Sequence, residues 1–175
     1  KFKSSNYITK KLKNIKIFNS LSNQNIKSKF FIKKFKKSIT EKLTTKDLKI
    51  MKADLVISNA TIEHVGNEKN QLKMLQNIVK LTNQICIIIT PNRFYPVDFH
   101  TKLPLLHFLP KKFHRKILKL IGFNFYSDEK NLNLLSKRDI NKLIDKLNNS
   151  FQFKIYNSRF FFLTSNYIII GKRVK

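Results

Sequence analysis

Glycine, cysteine, tryptophan and acidic residues are all scarce in this 175-residue chain, and each scarcity excludes something. Gly66, Gly122 and Gly171 are the only glycines, so the chain holds no glycine-rich turn of the kind that lets backbone amides approach a phosphate or nucleotide. The single cysteine, Cys86, excludes an intrachain disulfide and a cysteine-based zinc site. It lies inside an apolar run, where a buried, inert thiol is expected. No apolar run is long enough to span a bilayer and no secretory signal is visible, so a cytoplasmic location is the expectation.

Ten acidic residues face 36 lysines and arginines, a formal net charge of +26. Such a charge suggests nucleic acid or an anionic membrane as partner. The basic residues are nevertheless spread along the whole chain without an RNA-binding motif, and coding bias toward Lys, Asn, Ile and Phe gives the same composition. Nucleic acid is therefore the less favoured expectation. The length allows one domain with a sizeable core.

What the chain does have is a pair of apolar runs that end abruptly in polar residues: Ala53 to Val65 and Ile85 to Arg93. Leu55 to Ile57 and Ile85 to Ile89 are continuous, which predicts strands covered on both faces, the habit of a parallel sheet flanked by helices. The polar residues then lie at carboxyl ends of strands, the edge where open α/β sheets bind ligands. Between them, Leu72, Leu75, Ile78 and Val79 share one helical face over Gln71 to Leu81. Asn67 or Asn70 is placed to cap the start of this helix, and Asn83 follows its end, so a βαβ unit is predicted. Toward the C-terminus, Ser136 and Asp139 form a variant capping box before the stripe Ile140, Leu143, Ile144 and Leu147. Two further strands, Phe151 to Leu163 and Tyr167 to Val174, are predicted as an antiparallel pair joined by Thr164-Ser165-Asn166.

Asp54 through Glu63-His64-Val65, a helix, and then Thr90-Pro91-Asn92-Arg93 together resemble the fourth and fifth strands of class I S-adenosylmethionine-dependent methyltransferases, of the small-molecule group called type 11. The resemblance runs from about Asp54 to the C-terminus. It implies an α/β, Rossmann-like sheet, mostly parallel, closed by a C-terminal antiparallel hairpin, in a single domain. It implies S-adenosylmethionine as cofactor and transfer of its methyl group to a small molecule or a cell-surface sugar or lipid intermediate. An RNA methyltransferase and a catalytically inactive binding protein are the alternatives.

The front of the chain departs from that pattern. The candidate second strand, Ile15 to Phe18, runs into Asn19-Ser20-Leu21-Ser22, and no acidic residue to hold a ribose occurs before Glu41. Because the sequence opens on Lys1, a first strand and glycine-rich turn upstream of residue 1 are one expectation; an atypical member that binds cofactor poorly is the other. Asn6 to Leu12 suggests the end of a helix, and Phe30 to Phe35 alternates apolar residues with lysine pairs.

By resemblance, Ser58, Asn59, Ala60, Thr61 and Glu63 are the candidate cofactor contacts, and His64 and His100 the candidate catalytic residues. Asn92 and Arg93 are the candidate substrate contacts. The stretch from 93 to 130, interrupted by Pro96, Pro104 and Pro110, is too broken for one helix. It resembles the insertion on which this family builds a lid over the acceptor. His100, His107 and His114 recur every seven residues there, but prolines break the helical alignment and no metal site is expected. His114, Arg115, Lys111, Lys112, Lys116 and Lys119 suggest a basic helix face, with a solvated surface as the plainer reading.

Overall fold

A computed structural model of the protein describes residues 19–22 and 33–174. The candidate segments Asn6 to Leu12, Ile15 to Phe18 and Phe30 to Ile32 lie outside the described residues. Two short strands, β1 (Asn19–Ser22) and β2 (Lys33–Lys36), pair in parallel. They are followed by α1 (Thr45–Met51), whose capping box is made by Thr44 and Asp47. Asn77 anchors the intervening segment by donating from Nδ2 to the carbonyls of Ile39 (2.7 Å) and Glu41 (2.8 Å).

The main sheet contains β3 (Ala53–Asn59), β4 (Thr82–Pro91), β5 (Phe151–Phe160) and β6 (Leu163–Arg173) in the order β3-β4-β6-β5. β3 and β4 are parallel, and β6 runs antiparallel to both of its neighbours. The crossover between β3 and β4 carries α2 (Glu68–Leu81), capped by Asn67, whose side chain accepts from the Asn70 N–H. No loop separates α2 from β4: Thr82 caps the helix, bonds the Ile78 carbonyl through Oγ1 and opens the strand. Asn83 is accordingly a strand residue. Between β4 and β5 lie a 3-10 turn (Leu106–Phe108), α3 (Lys111–Leu120), α4 (Asn124–Ser127) and α5 (Lys137–Asp145). Ser136 and Asp139 form a full capping box at the start of α5.

The core is one cluster between sheet and helices. Met74, Leu75, Ile78 and Val79 of α2 and Ile140 and Leu143 of α5 meet Cys86, Ile88, Tyr167, Ile169 and Phe151 of the sheet. Each fully buried aliphatic side chain in such a cluster is worth about 1.5–3 kcal/mol of transfer free energy. Along β4, Cys86, Ile88 and Thr90 are buried while Ile85, Ile87 and Ile89 are only half-buried. The expected coverage of both faces is thus seen on one face among the described residues. A continuous apolar run hides this, because the pleat still sends alternate side chains to opposite faces.

The hairpin also differs from expectation. The β5–β6 turn is at Phe161 and Phe162, both with positive φ (47° and 65°), while Thr164, Ser165 and Asn166 belong to β6. Positive φ at both central residues is the geometry of a type I′ turn, whose twist matches that of the flanking strands. Nothing in the turn residues themselves announces it, since this turn favours Asn and Gly.

Candidate active site at the carboxyl ends of β3 and β4

At the end of β3 the chain turns sharply. Ala60 has φ of 48°, and its N–H donates to the Ile89 carbonyl at 2.9 Å. Asn59 and Ala60 are exposed, Ser58 and Thr61 are half-buried, and the Thr61 hydroxyl donates back to the Asn59 carbonyl at 3.1 Å. The candidate cofactor contacts Ser58 to Thr61 thus form one strand-end turn. A 3-10 turn (Ile62–His64) follows and sends consecutive side chains in opposite directions.

Glu63 points inward and is fully buried, with 0% of its side chain exposed. Its Oε2 accepts from the Thr90 hydroxyl at 3.0 Å, at the far end of β4, and Oε1 has no hydrogen-bond partner. Burial raises its pKa above the usual carboxylate value, against the opposing pull of its own backbone amide, His64 and Thr90. His64 points outward to the loop after β4. Its Nε2 lies 3.1 Å from Nε2 of His100, 36 residues away in sequence, and 4.0 Å from Glu63 Oε1. Both candidate catalytic residues therefore meet.

Each imidazole is oriented from behind. His64 Nδ1 lies 2.6 Å from the Asn131 carbonyl, and His100 Nδ1 lies 3.1 Å from Asp98 Oδ1. Asp98 is buried and also accepts from the backbone amides of His100 and Thr101 and from the Thr101 hydroxyl. Burial pushes its pKa up, but the bonds from His100 and Thr101 outweigh that and hold the carboxyl below its usual range. Tyr126 of α4 packs against His100 with ring centroids 5.9 Å apart. The site is thus built by the turn after β3, the loop after β4 and the far end of the 93–130 segment. Asp98 and Asn131 are not among the residues singled out from the sequence, and Thr90 figures there only as part of the Thr90-Pro91-Asn92-Arg93 motif; the Asp-x-His-Thr run is the one local signal for Asp98, as a carboxylate that caps its own turn.

Asn92 and Arg93 have their polar atoms engaged inside the protein. Asn92 donates to the Thr164 carbonyl (2.8 Å) and accepts from the Phe94 N–H and the Tyr167 hydroxyl, each at 3.0 Å. Arg93 donates to the carbonyls of His107 (3.2 Å) and Leu109 (2.8 Å), and burial lowers its pKa. The seven-residue histidine series does not assemble on His100. His107 Nε2 contacts the Tyr95 carbonyl at 2.6 Å, and His114 packs near His107 with ring centroids 6.4 Å apart.

No family model matches the sequence, and no curated protein matches it either. Among solved structures, a small RNA methyltransferase, HEN1, superposes with a TM-score of 0.50 over 80% of this chain and 16% of its own, at 14% identity. The fold is that of the class I S-adenosylmethionine-dependent methyltransferases. Two further similar structures have lower scores. Magnesium protoporphyrin IX methyltransferase from Synechocystis PCC 6803, with bound S-adenosylhomocysteine, gives 0.43 at 16% identity over 83% of this chain. An O-methyltransferase family protein from Burkholderia thailandensis gives 0.48 at 11% identity over 80% of this chain. The chain spans about half (51%) of the first and 35% of the second. In this methyltransferase fold, antiparallel β6 between β4 and β5 is the expected closing hairpin. No helix among the described residues is long and apolar enough to cross a membrane.

Proposed function

We propose that the protein belongs to an S-adenosylmethionine-dependent methyltransferase acting on a small molecule or a sugar or lipid intermediate. The observation that carries this reading is the convergence of the Ser58–Thr61 turn, exposed at Asn59 and Ala60, and the His64–His100 pair at the carboxyl edge of β3 and β4, in this fold. The residues present fit one side of such a cofactor. The sharp turn at Ala60 leaves backbone exposed at the strand end, where an adenosyl group can lie. The cofactor supplies an already activated methyl group. The chain supplies alignment and exclusion of water, with a histidine base for an acceptor that must lose a proton.

The 93–130 segment serves as the lid. Asn92 and Arg93 clamp its first half to the sheet end, and Asn131 and Tyr126 bring its second half onto the histidines. Within this segment Arg93, Lys111 and Arg115 are engaged internally, Arg93 with carbonyls, Lys111 with Asn133 and Arg115 with Glu129, while Lys102, Lys112, Lys116, Lys119 and Lys130 are exposed. Calorimetric titration of the full-length protein with S-adenosylmethionine tests the reading. A one-to-one binding isotherm is expected; absence of binding heat overturns catalysis by methyl transfer.

A further inference from the structure

We propose that Glu63, His64 and His100 form a binding site for one divalent transition-metal ion of the zinc type, with a fourth position open to an oxygen ligand. The ligand atoms already lie within 4.8 Å of one another. Two nitrogens bound to one tetrahedral ion at about 2.0–2.1 Å each stand roughly 3.3 Å apart. The two Nε2 atoms are 3.1 Å apart.

Hydrogen bonding at the rear of each ring favours a cation between them. A carbonyl oxygen only accepts, so the 2.6 Å contact with Asn131 places the proton of His64 on Nδ1. Asp98 likewise faces Nδ1 of His100. With each Nδ1 turned to its rear partner, the two Nε2 atoms face each other at 3.1 Å, a gap that a shared proton or a bound cation closes, and the Glu63 oxygen beside it favours the cation. Carboxylate or carbonyl on the far nitrogen is also the usual backing of a metal-bound histidine. Independently, Glu63 Oε1 is buried and unpartnered, and faces His64 Nε2 at 4.0 Å. A buried carboxylate oxygen without a donor is costly, and a cation satisfies it. Two imidazoles and one carboxylate suit zinc, cobalt or iron better than magnesium, which prefers oxygen ligands in octahedral geometry. His64 is 36% exposed, which leaves a path from solvent.

The use of the open position rests on the methyl-transfer reading. Coordination takes up both Nε2 lone pairs, so the ion replaces the histidine base: a hydroxyl oxygen of the acceptor coordinated at the open position becomes more acidic and releases its proton to solvent. That oxygen then bonds the cofactor methyl carbon while the methyl–sulfur bond breaks, and the bonding pair stays on sulfur. The acceptor class is accordingly a hydroxyl compound.

Cobalt(II) alone, added to the metal-free full chain, gives the test. One equivalent is expected to bind and to produce the visible absorption of a four- or five-coordinate site, with zinc displacing it and magnesium failing to. His100→Gln and Glu63→Gln should each weaken binding by about 100-fold or more and Asp98→Asn by roughly 10- to 100-fold, while His114→Gln leaves it unchanged. Circular dichroism checks that each variant folds. Nitrogen-detected NMR of the wild-type histidines avoids variants altogether: zinc should shift Nε2 of His64 and His100, two of the four histidines. No binding, or binding through other histidines, overturns the site. Acetohydroxamate should perturb the cobalt spectrum, and an unchanged spectrum overturns the open position. A site that binds metal in a protein that ignores S-adenosylmethionine sinks the methyl-transfer reading alone.

Discussion

Gly171→Ala is the substitution whose sign reports the register of the sheet that carries the site. A cross-strand row runs Val56, Cys86, Gly171, Phe153 over the four strands. Taken as a strand residue alone, glycine is worse than alanine by roughly 0.5–1 kcal/mol, so the change would stabilise the protein if space were available. It is not. A methyl carbon at Gly171 would lie 2.5 Å from Phe153 Cε1 and 2.7 Å from Cys86 Sγ, where ordinary contact begins at 3.4 Å. The thiol is buried in the core cluster and has no room to retreat. Phe153, only partly buried, can swing outward by surrendering its stacking on Phe151. Overpacking of this kind costs about 1–3 kcal/mol, which exceeds the propensity gain and leaves a net loss of roughly 1–2 kcal/mol. At 2–4 °C per kcal/mol, the melting temperature should fall by roughly 2–8 °C. Urea and thermal unfolding measure this, and a double-mutant cycle with Phe153→Leu should recover part of the loss. A stabilised Gly171→Ala, or no coupling to Phe153, would refute the register and the packing argument with it.

The β5–β6 turn offers the opposite sign. Phe161 and Phe162 hold positive φ while 76% and 95% exposed, so Phe161→Asn with Phe162→Gly should stabilise the fold by about 1–2 kcal/mol in urea melts. At the start of α5, Ser136→Ala removes a capping side chain and should cost about 1 kcal/mol. Burial would raise the pKa of Asp139, its capping-box partner, but the bonds from Ser136 lower it from 3.8. Its contribution is therefore complete above the unfolded-state value and lost as pH falls through the lower folded value. Asp139→Asn should flatten the acid limb of the stability profile below about pH 4, and an unchanged limb would count against the cap.

What could be read from the residues was what depends on near neighbours in the chain. The stripe Leu72, Leu75, Ile78 and Val79, the caps at Asn67 and Ser136, and the apolar runs of β3 and β4 are local patterns, and each element formed where its pattern lay. The Ser58–Thr61 turn and Glu63-His64 were legible for the same reason, as polar residues at the end of an apolar strand. The position of the hairpin was not. Thr164-Ser165-Asn166 carries better turn chemistry than Phe161-Phe162, yet pairing of β6 with both β4 and β5 through Asn166 draws those polar residues into the strand. Ladder bonds on two sides outweigh the local preference.

The site divides in the same way. The family resemblance implied Glu63 as a cofactor contact and His64 and the distant His100 as catalytic candidates, and the residues added a periodic histidine series that does not assemble on His100. Only the parallel β3–β4 pairing brings the turn bearing Glu63 and His64 beside the loop bearing His100. Only the return of the chain at Asn131 and the carboxylate of Asp98 turn both Nε2 atoms toward one point. Burial of the Glu63 carboxylate, and its unpartnered oxygen, is likewise set by Thr90 and the packing above it, because desolvation is a property of the assembled surroundings and not of any residue in the chain.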